Sequence, residues 1–314
     1  MKILVTGVHG FVGTNLVETL KDDHVIYGLD IVSQKNDGIE NTFHWIALDD
    51  LDGMDLDAVV HLDNFSHNDA VKVSPVVPFE ERATYTQKVF DYFLASDMKK
   101  FIFVSSVKAV TDKVEGNVLA EDVVPSPKGS FAEGKIASEN YILSKQAEWE
   151  AKGKEVYIVR PCVIHGPDCK GSLPLLYNVV RKGIPWPLGD FDNKLSFTYI
   201  DNLCFVLKSL LTQPVASGIY HMADDEPIAI NRLITIIWEA VGKKPRIWHF
   251  SKETMDRLAK LGDFLHLPLN TRRLLKLTQT YVVSNAKIKA ALGIEKMPVG
   301  VQEGLMLTVK SFKE

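Results

Sequence analysis

The stretch Lys2-Ile3-Leu4-Val5-Thr6-Gly7-Val8-His9-Gly10-Phe11-Val12-Gly13 decides the fold. Ile3 to Val5 is a short apolar run of strand type, and Val12 to Leu20 reads as a helix, so the three glycines occupy the turn between them. Each glycine has a use there. Gly7 permits a tight turn, Gly10 lets the backbone approach a pyrophosphate, and Gly13 lets the helix pack closely on the strand. Phosphates would then meet the unpaired N–H groups at the amino end of the helix. The spacing is G-x-x-G-x-x-G, not G-x-G-x-x-G, so the strand–loop–helix context is what gives the match its meaning. The competing reading is glycines that serve helix packing alone.

The next strand ends in Gly28-Leu29-Asp30. A carboxylate at that point accepts both ribose hydroxyls of an adenosine and repels a 2′-phosphate, which favours NAD over NADP. Further on, Leu48-Asp49-Asp50 follows a third strand and brings Asp49 toward an adenine amine, or leaves it as a solvated loop carboxylate.

Outward from this unit, the short runs Ile3 to Val5, Val25 to Leu29, Val59 to Leu62, Phe101 to Val104 and Val156 to Val159 are rich in β-branched or aromatic residues. Runs of this kind are strands buried on both faces. They alternate with the helical stretches Val12 to Leu20, Glu81 to Leu94 and Ala132 to Ala147, which implies right-handed crossovers and a doubly wound α/β domain of Rossmann type. That domain is expected over residues 1–163, and a smaller mixed α/β substrate-binding lobe over 164–314. Strands near 195–222, including a strand-like Leu195 to Ile200, are expected to return to the first sheet.

Composition excludes several classes. A formal charge of −4 over 314 residues gives no electrostatic reason to expect nucleic acid or an anionic membrane as partner. Cys162, Cys169 and Cys204 are too few and too irregular for a disulfide framework or a zinc cluster, so no metal is expected and reduced thiols in a cytoplasmic protein are. The amino terminus runs straight into a strand without the apolar stretch of a signal peptide. No run approaches the roughly 18 apolar residues of a spanning helix.

Taken together, the loop Thr6 to Gly13, Asp30, the strands Ala58 to Leu62 and Phe101 to Ser106, the F-x-x-x-K pair Phe131 and Lys135, Val159-Arg160-Pro161 through His165-Gly166-Pro167, and Phe197 to Leu203 resemble the extended short-chain dehydrogenase/reductase family in its NAD-dependent epimerase/dehydratase branch. The resemblance runs over essentially the whole chain. The carboxyl-terminal pattern, Lys276-Leu277-Thr278 and Tyr281 to Ile288 before Ala291-Leu292-Gly293, is similar to 4-keto-sugar reductases that make precursors of surface polysaccharide.

The resemblance implies an enzyme that binds NAD and a nucleotide sugar and forms a homodimer, with the helices of Glu81 to Leu94 and Ala132 to Ala147 pairing between subunits. It implies cofactor contacts from Gly7, Gly10, Phe11, Val12, Gly13, Asp30, Asp49, Leu62, Asp63, Lys135, Pro161 and Val163. Ser106 matches the serine that hydrogen-bonds the reacting oxygen, and Lys135 the lysine that lowers a tyrosine pKa and holds the nicotinamide ribose. Phe131 stands where that tyrosine belongs and has no proton to give.

Other positions also depart from the pattern. Asp63-Asn64 replaces two small residues, Val110 replaces a tyrosine, and Arg160-Pro161-Cys162-Val163-Ile164-His165-Gly166 replaces Arg-Pro-x-Asn-x-Tyr-Gly. His165 is a candidate sugar contact or substitute proton donor, or simply a packed histidine. Tyr141, ten residues past Phe131, falls on a different helical face. Lys194, Arg272 and Arg273 are candidates for the substrate pyrophosphate or solvated surface charges, Trp186 for a pocket wall or plain packing, and Asp201 for a loop or helix cap. The function expected is an NAD-dependent oxidoreductase or epimerase of a nucleotide sugar with impaired or rerouted proton transfer, the alternative being a catalytically silent binder.

Overall fold

The computed structural model describes residues 1–32, 36–45, 47–62, 79–265 and 270–312. In chain order the strands are β1 Lys2–Thr6, β2 Val25–Asp30, β3 Asn41–His44, β4 Ala58–His61, β5 Lys100–Val104, β6 Glu155–Pro161, β7 Val163–His165, β8 Lys194–Leu195, β9 Phe197–Tyr199, β10 Gly218–Met222 and β11 Ile228–Ala229. The helices are α1 Phe11–Leu20, α2 Phe79–Ala95, α3 Ser130–Ser144, α4 Gln146–Ala151, α5 Ser172–Arg181, α6 Ile200–Thr212, α7 Ile230–Val241, α8 Lys252–Leu265, α9 Thr271–Thr278, α10 Ala286–Leu292 and α11 Val301–Ser311.

Seven strands form one parallel sheet in the order β10-β6-β5-β4-β1-β2-β3. Period-two alternation divides its side chains between two cores. Ile3, Val5, Ala58, Val60 and Ile102 join Val12, Leu16 and Leu20 of α1 and Leu203 and Leu207 of α6 on one face. Leu4, Val59, Phe101 and Phe103 join Val89, Phe90 and Phe93 of α2 on the other. Truncating a fully buried ring such as Phe90 costs about 3–5 kcal/mol at sites of this kind.

The doubly wound α/β fold agrees with the sequence reading. Two elements differ. Leu195 to Ile200 is not one strand returning to the sheet: β8 pairs with β11, β9 pairs with β7, and Ile200 already starts α6. Only β10 joins the large sheet, beside β6. The helix expected over Ala132 to Ala147 stops at Ser144, because Lys145 leaves helical geometry at φ −98°, ψ 14° before α4 begins.

A third core lies in the carboxyl-terminal half. There α5, α7 and α11 bury Leu173, Tyr177, Ile234, Ile237, Trp238 and Leu305 together. Trp186 belongs to it, buried with its indole N–H donated to Asn231 Oδ1 at 3.1 Å, the packing role that the sequence also allowed. Asp201 sits in the first turn of α6, where a carboxylate complements the helix dipole.

Candidate active site

The order of the sheet reverses between β1 and β4, and the carboxyl ends of the strands near this point open onto a cleft of about 1010 Å³. Open α/β sheets bind ligands at such a switch point. Leu62 after β4, Ser105 and Ser106 after β5, and Pro161 to Ile164 from the end of β6 into β7 line one side. Leu173 and Leu176 of α5, Leu233 of α7, and Arg272 and Leu277 of α9 line the other.

Beside the cleft the glycine loop has the predicted geometry. Gly7 takes φ +65°, a left-handed conformation that disfavours a side chain, and its N–H donates to Leu29 O at 2.8 Å. A Cβ on Gly13 would stand 2.4 Å from Gly7 O and 2.5 Å from Val8 O, so only glycine lets α1 approach β1 this closely. Gly10 caps α1 without a side-chain hydrogen bond, which leaves the amino-end N–H groups for an anion. Asp30 is half-buried at the end of β2, its Oδ2 accepting from the His9 N–H at 3.0 Å and its Oδ1 from the Ile31 N–H at 2.7 Å. Those bonds orient the carboxylate and leave lone pairs on both oxygens. The cradle fits the diphosphate and adenosine ribose of a dinucleotide.

Ser106, Phe131 and Lys135 converge on the cleft. Ser106 caps the short 3-10 turn Val107–Ala109, its Oγ accepting from the Lys108 N–H at 3.2 Å, so the hydroxyl keeps its own proton to donate. Lys135 is buried, with Nζ donating to Val104 O at 2.9 Å and lying 4.9 Å from the Phe103 ring centroid. One turn earlier on α3, Phe131 is 46% exposed although it is a phenyl ring. Beneath them Ser105 Oγ donates to Glu139, whose carboxylate pairs with Arg160 in a fully buried network that ties α3 to β5 and β6.

The model of the NAD dependent epimerase/dehydratase family matches residues 3–223. The chain belongs to that family. Its cofactor is NAD, and the enzyme is of the epimerase/dehydratase type. Among similar proteins, a UDP-glucose 4-epimerase of Vibrio cholerae is 27% identical and aligns with 99% of this chain and 95% of its own. A GDP-6-deoxy-D-mannose reductase of Pseudomonas aeruginosa is 24% identical over 75% of this chain and 79% of its own. The solved UDP-glucose 4-epimerase of Thermus thermophilus in complex with NAD shares the fold, with TM-score 0.72 and 22% identity, covering 100% of this chain and 99% of that one.

In this epimerase/dehydratase the sequence-derived candidates divide. Val12, Leu62, Pro161 and Val163 line the cleft with Ser106, Phe131, Lys135 and Arg272. Phe11 packs its ring against the first core, near Gly166. Asp49 is exposed in the 3-10 turn Leu48–Leu51, as a solvated carboxylate would be. Asp63 and Asn64 lie outside the described residues.

His165 is not brought to the cleft. It is fully buried, Nδ1 2.9 Å from Thr308 Oγ1 and Nε2 3.5 Å from Asp224 Oδ2, because β7 turns it inward toward α11. Lys194 projects from the exposed strand β8, and Arg273 is exposed beside Asn270, whose side chain caps α9. Tyr141 donates its hydroxyl to Asp91 Oδ1 at 2.6 Å, a bond that pushes its pKa up to about 12, and it faces α2. Val110, at the position of a family tyrosine, is buried.

The structure adds Lys108, Asp112, Lys128, Gln279 and Tyr281 to the cleft. Lys108 follows Ser106 by two residues and Lys128 precedes Phe131 by three, while Tyr281 belongs to the carboxyl-terminal pattern noted in the sequence. Gln279 and Tyr281 arrive from a segment more than 140 residues away. Cys162 also faces the cleft, where burial holds its thiol protonated well above the usual thiol range. The three cysteines are free and buried. Among the described residues no helix is long and apolar enough to cross a membrane, and no group of His, Cys, Asp and Glu is arranged to hold a metal ion.

Proposed function

We propose that this chain is an NAD-dependent reductase of nucleotide-linked 4-keto sugars, of the kind that supplies surface polysaccharide, with its proton delivered by a group other than a tyrosine at position 131. The observation that carries the reading is the meeting of Ser106, Lys135 and Phe131 in one cleft beside a dinucleotide cradle. The Vibrio cholerae and Pseudomonas aeruginosa relatives, an epimerase and a reductase by name, support a nucleotide sugar as substrate class.

NADH, when bound, would supply the hydride. Ser106 donates a hydrogen bond to the reacting sugar oxygen, and Lys135 contributes a buried positive charge that favours negative charge developing there. The Phe131 ring offers an apolar surface at the position from which a phenol would give or take the matching proton. Arg272, on the far wall, faces the diphosphate of the substrate as a bidentate donor. The protein acts as a homodimer in the cytoplasm.

The test is NADH oxidation by the purified chain with UDP- and dTDP-4-keto-6-deoxyglucose and GDP-4-keto-6-deoxymannose. Turnover with one of these, and tighter binding of NADH than NADPH at Asp30, is the expected result. A protein that binds NAD and UDP-sugars yet oxidises no NADH would be a silent binder, the reading that the missing hydroxyl of Phe131 also supports.

A further inference from the structure

With a phenyl ring at position 131, the sugar oxygen needs another source of protons, and the groups lining the cleft are few enough to compare. Arg272 does not release its proton under ordinary conditions. The Tyr281 hydroxyl is committed to backbone oxygens, Thr111 O at 2.8 Å and Val107 O at 3.3 Å, so only its ring is presented. His165 is buried elsewhere. Lys135 is anchored on Val104 O. Lys128 is exposed on the segment before α3. Lys108 shares the short turn with Ser106, and its Nζ lies 4.1 Å from the Tyr281 ring centroid, 3.7 Å from Asp112 Oδ1 and 3.4 Å from Asp112 O.

We propose that Lys108 is the general acid of this cleft, donating its proton to the oxygen of a 4-keto sugar polarised by Ser106. The inference rests on the reductase reading above. In the step, the C4 carbonyl carbon takes a hydride from NADH, the carbon–oxygen π bond breaks toward oxygen, and that oxygen takes a proton from the Lys108 ammonium. The neutral amine then regains a proton from water, to which the side chain is 39% exposed. Asp112 and the face of the Tyr281 ring hold the ammonium in place. A lysine is ordinarily protonated at neutral pH, which makes it a ready donor and a poor acceptor. The cleft is therefore biased toward reduction of a ketone and away from epimerisation, which must first remove a proton from an alcohol.

Single-turnover NADH oxidation with the three 4-keto sugars tests this, with NADH affinity followed separately by fluorescence. Lys108→Met should slow the reaction by about 10²–10⁴-fold, the usual worth of a positioned general acid, with NADH affinity unchanged. Ethylamine in solution should partly restore Lys108→Ala, and the double variant Lys108→Met/Phe131→Tyr should regain activity through its new phenol. Lys108→Met within twofold of the unaltered chain, a loss caused by Lys128→Met instead, or rescue by neither ethylamine nor the phenol would overturn the assignment. If the unaltered chain oxidises no NADH while binding it, the reductase reading itself fails and the role of Lys108 falls with it.

Discussion

Glu139 on α3 and Arg160 on β6 form a buried ion pair in which Arg160 Nε donates at 3.0 and 3.1 Å and Nη2 at 2.5 Å. Glu139 is one turn beyond Lys135, and the same carboxylate accepts from Ser105, the neighbour of Ser106. The pair therefore sets the distance between the helix that carries Phe131 and Lys135 and the strand end that carries Ser106. Glu139→Ala leaves Arg160 charged and buried without its partner. A loss of about 3–5 kcal/mol is expected from urea unfolding. A loss under 1 kcal/mol would mean that water or a second acceptor takes the place of the carboxylate.

Gly13→Ala tests the cradle. The added methyl meets the main-chain oxygens of Gly7 and Val8, which are not free to move aside like the end of a side chain. The loop must shift, at a stability cost of about 1–3 kcal/mol, and the stabilisation of thermal unfolding by added NAD should shrink markedly. An NAD-induced shift equal to that of the unaltered chain would show that α1 tolerates the wider spacing.

His221 gives the fold a pH dependence. Burial, and then the positive charge of Arg160, push its pKa down to about 4 from the ordinary 6.5. The unfolded chain takes up the proton near pH 6.5 and the folded one only near 4, so the unfolded state binds more protons between those values. Stability is full above pH 6.5 and falls as pH drops from 6.5 to 4, by at most about 3 kcal/mol at 1.36 kcal/mol per unit. His221→Asn should flatten that limb of a urea-midpoint curve taken against pH.

Phe131→Tyr adds one hydroxyl at a half-exposed ring edge in the cleft. Paired with Lys135 one turn on, a phenol can both give and take a proton, so sugar epimerisation should rise by about 10- to 10⁴-fold, while 4-keto-sugar reduction, which Lys108 already serves, should rise less. Epimerisation should gain more, because it needs a base. If the variant binds NAD normally and no nucleotide sugar turns over faster, the pocket differs from its family by more than this one donor.

Helices α2 and α3 pack on one face of the sheet, the surface through which the resemblance implies dimerisation. Light scattering at micromolar concentration should give twice the 35.1 kDa chain mass. A monomer mass across that range would count against the dimer.

Local rules were sufficient for the five inner strands of the large sheet, for α1 and for the glycine cradle. A both-face-buried strand is written as a short apolar run, and the close approach at Gly13 requires the absence of a Cβ within a dozen residues of the start. Ser106, Phe131 and Lys135 were legible only through the family resemblance, although a turn of helix fixes the spacing of the last two and a strand end presents the first. What depended on partners distant in sequence was decided only by the tertiary structure. His165 has the same chemistry in either place, but the pairing of β7 with β9 and the approach of α11 put it in the interior beside Thr308. Leu195 to Ile200 has the composition of one strand, yet its two halves pair with β11 and β7. Lys108 acquires its position from Tyr281 and Asp112, and the contact with Tyr281 spans 173 residues of chain that no local period records.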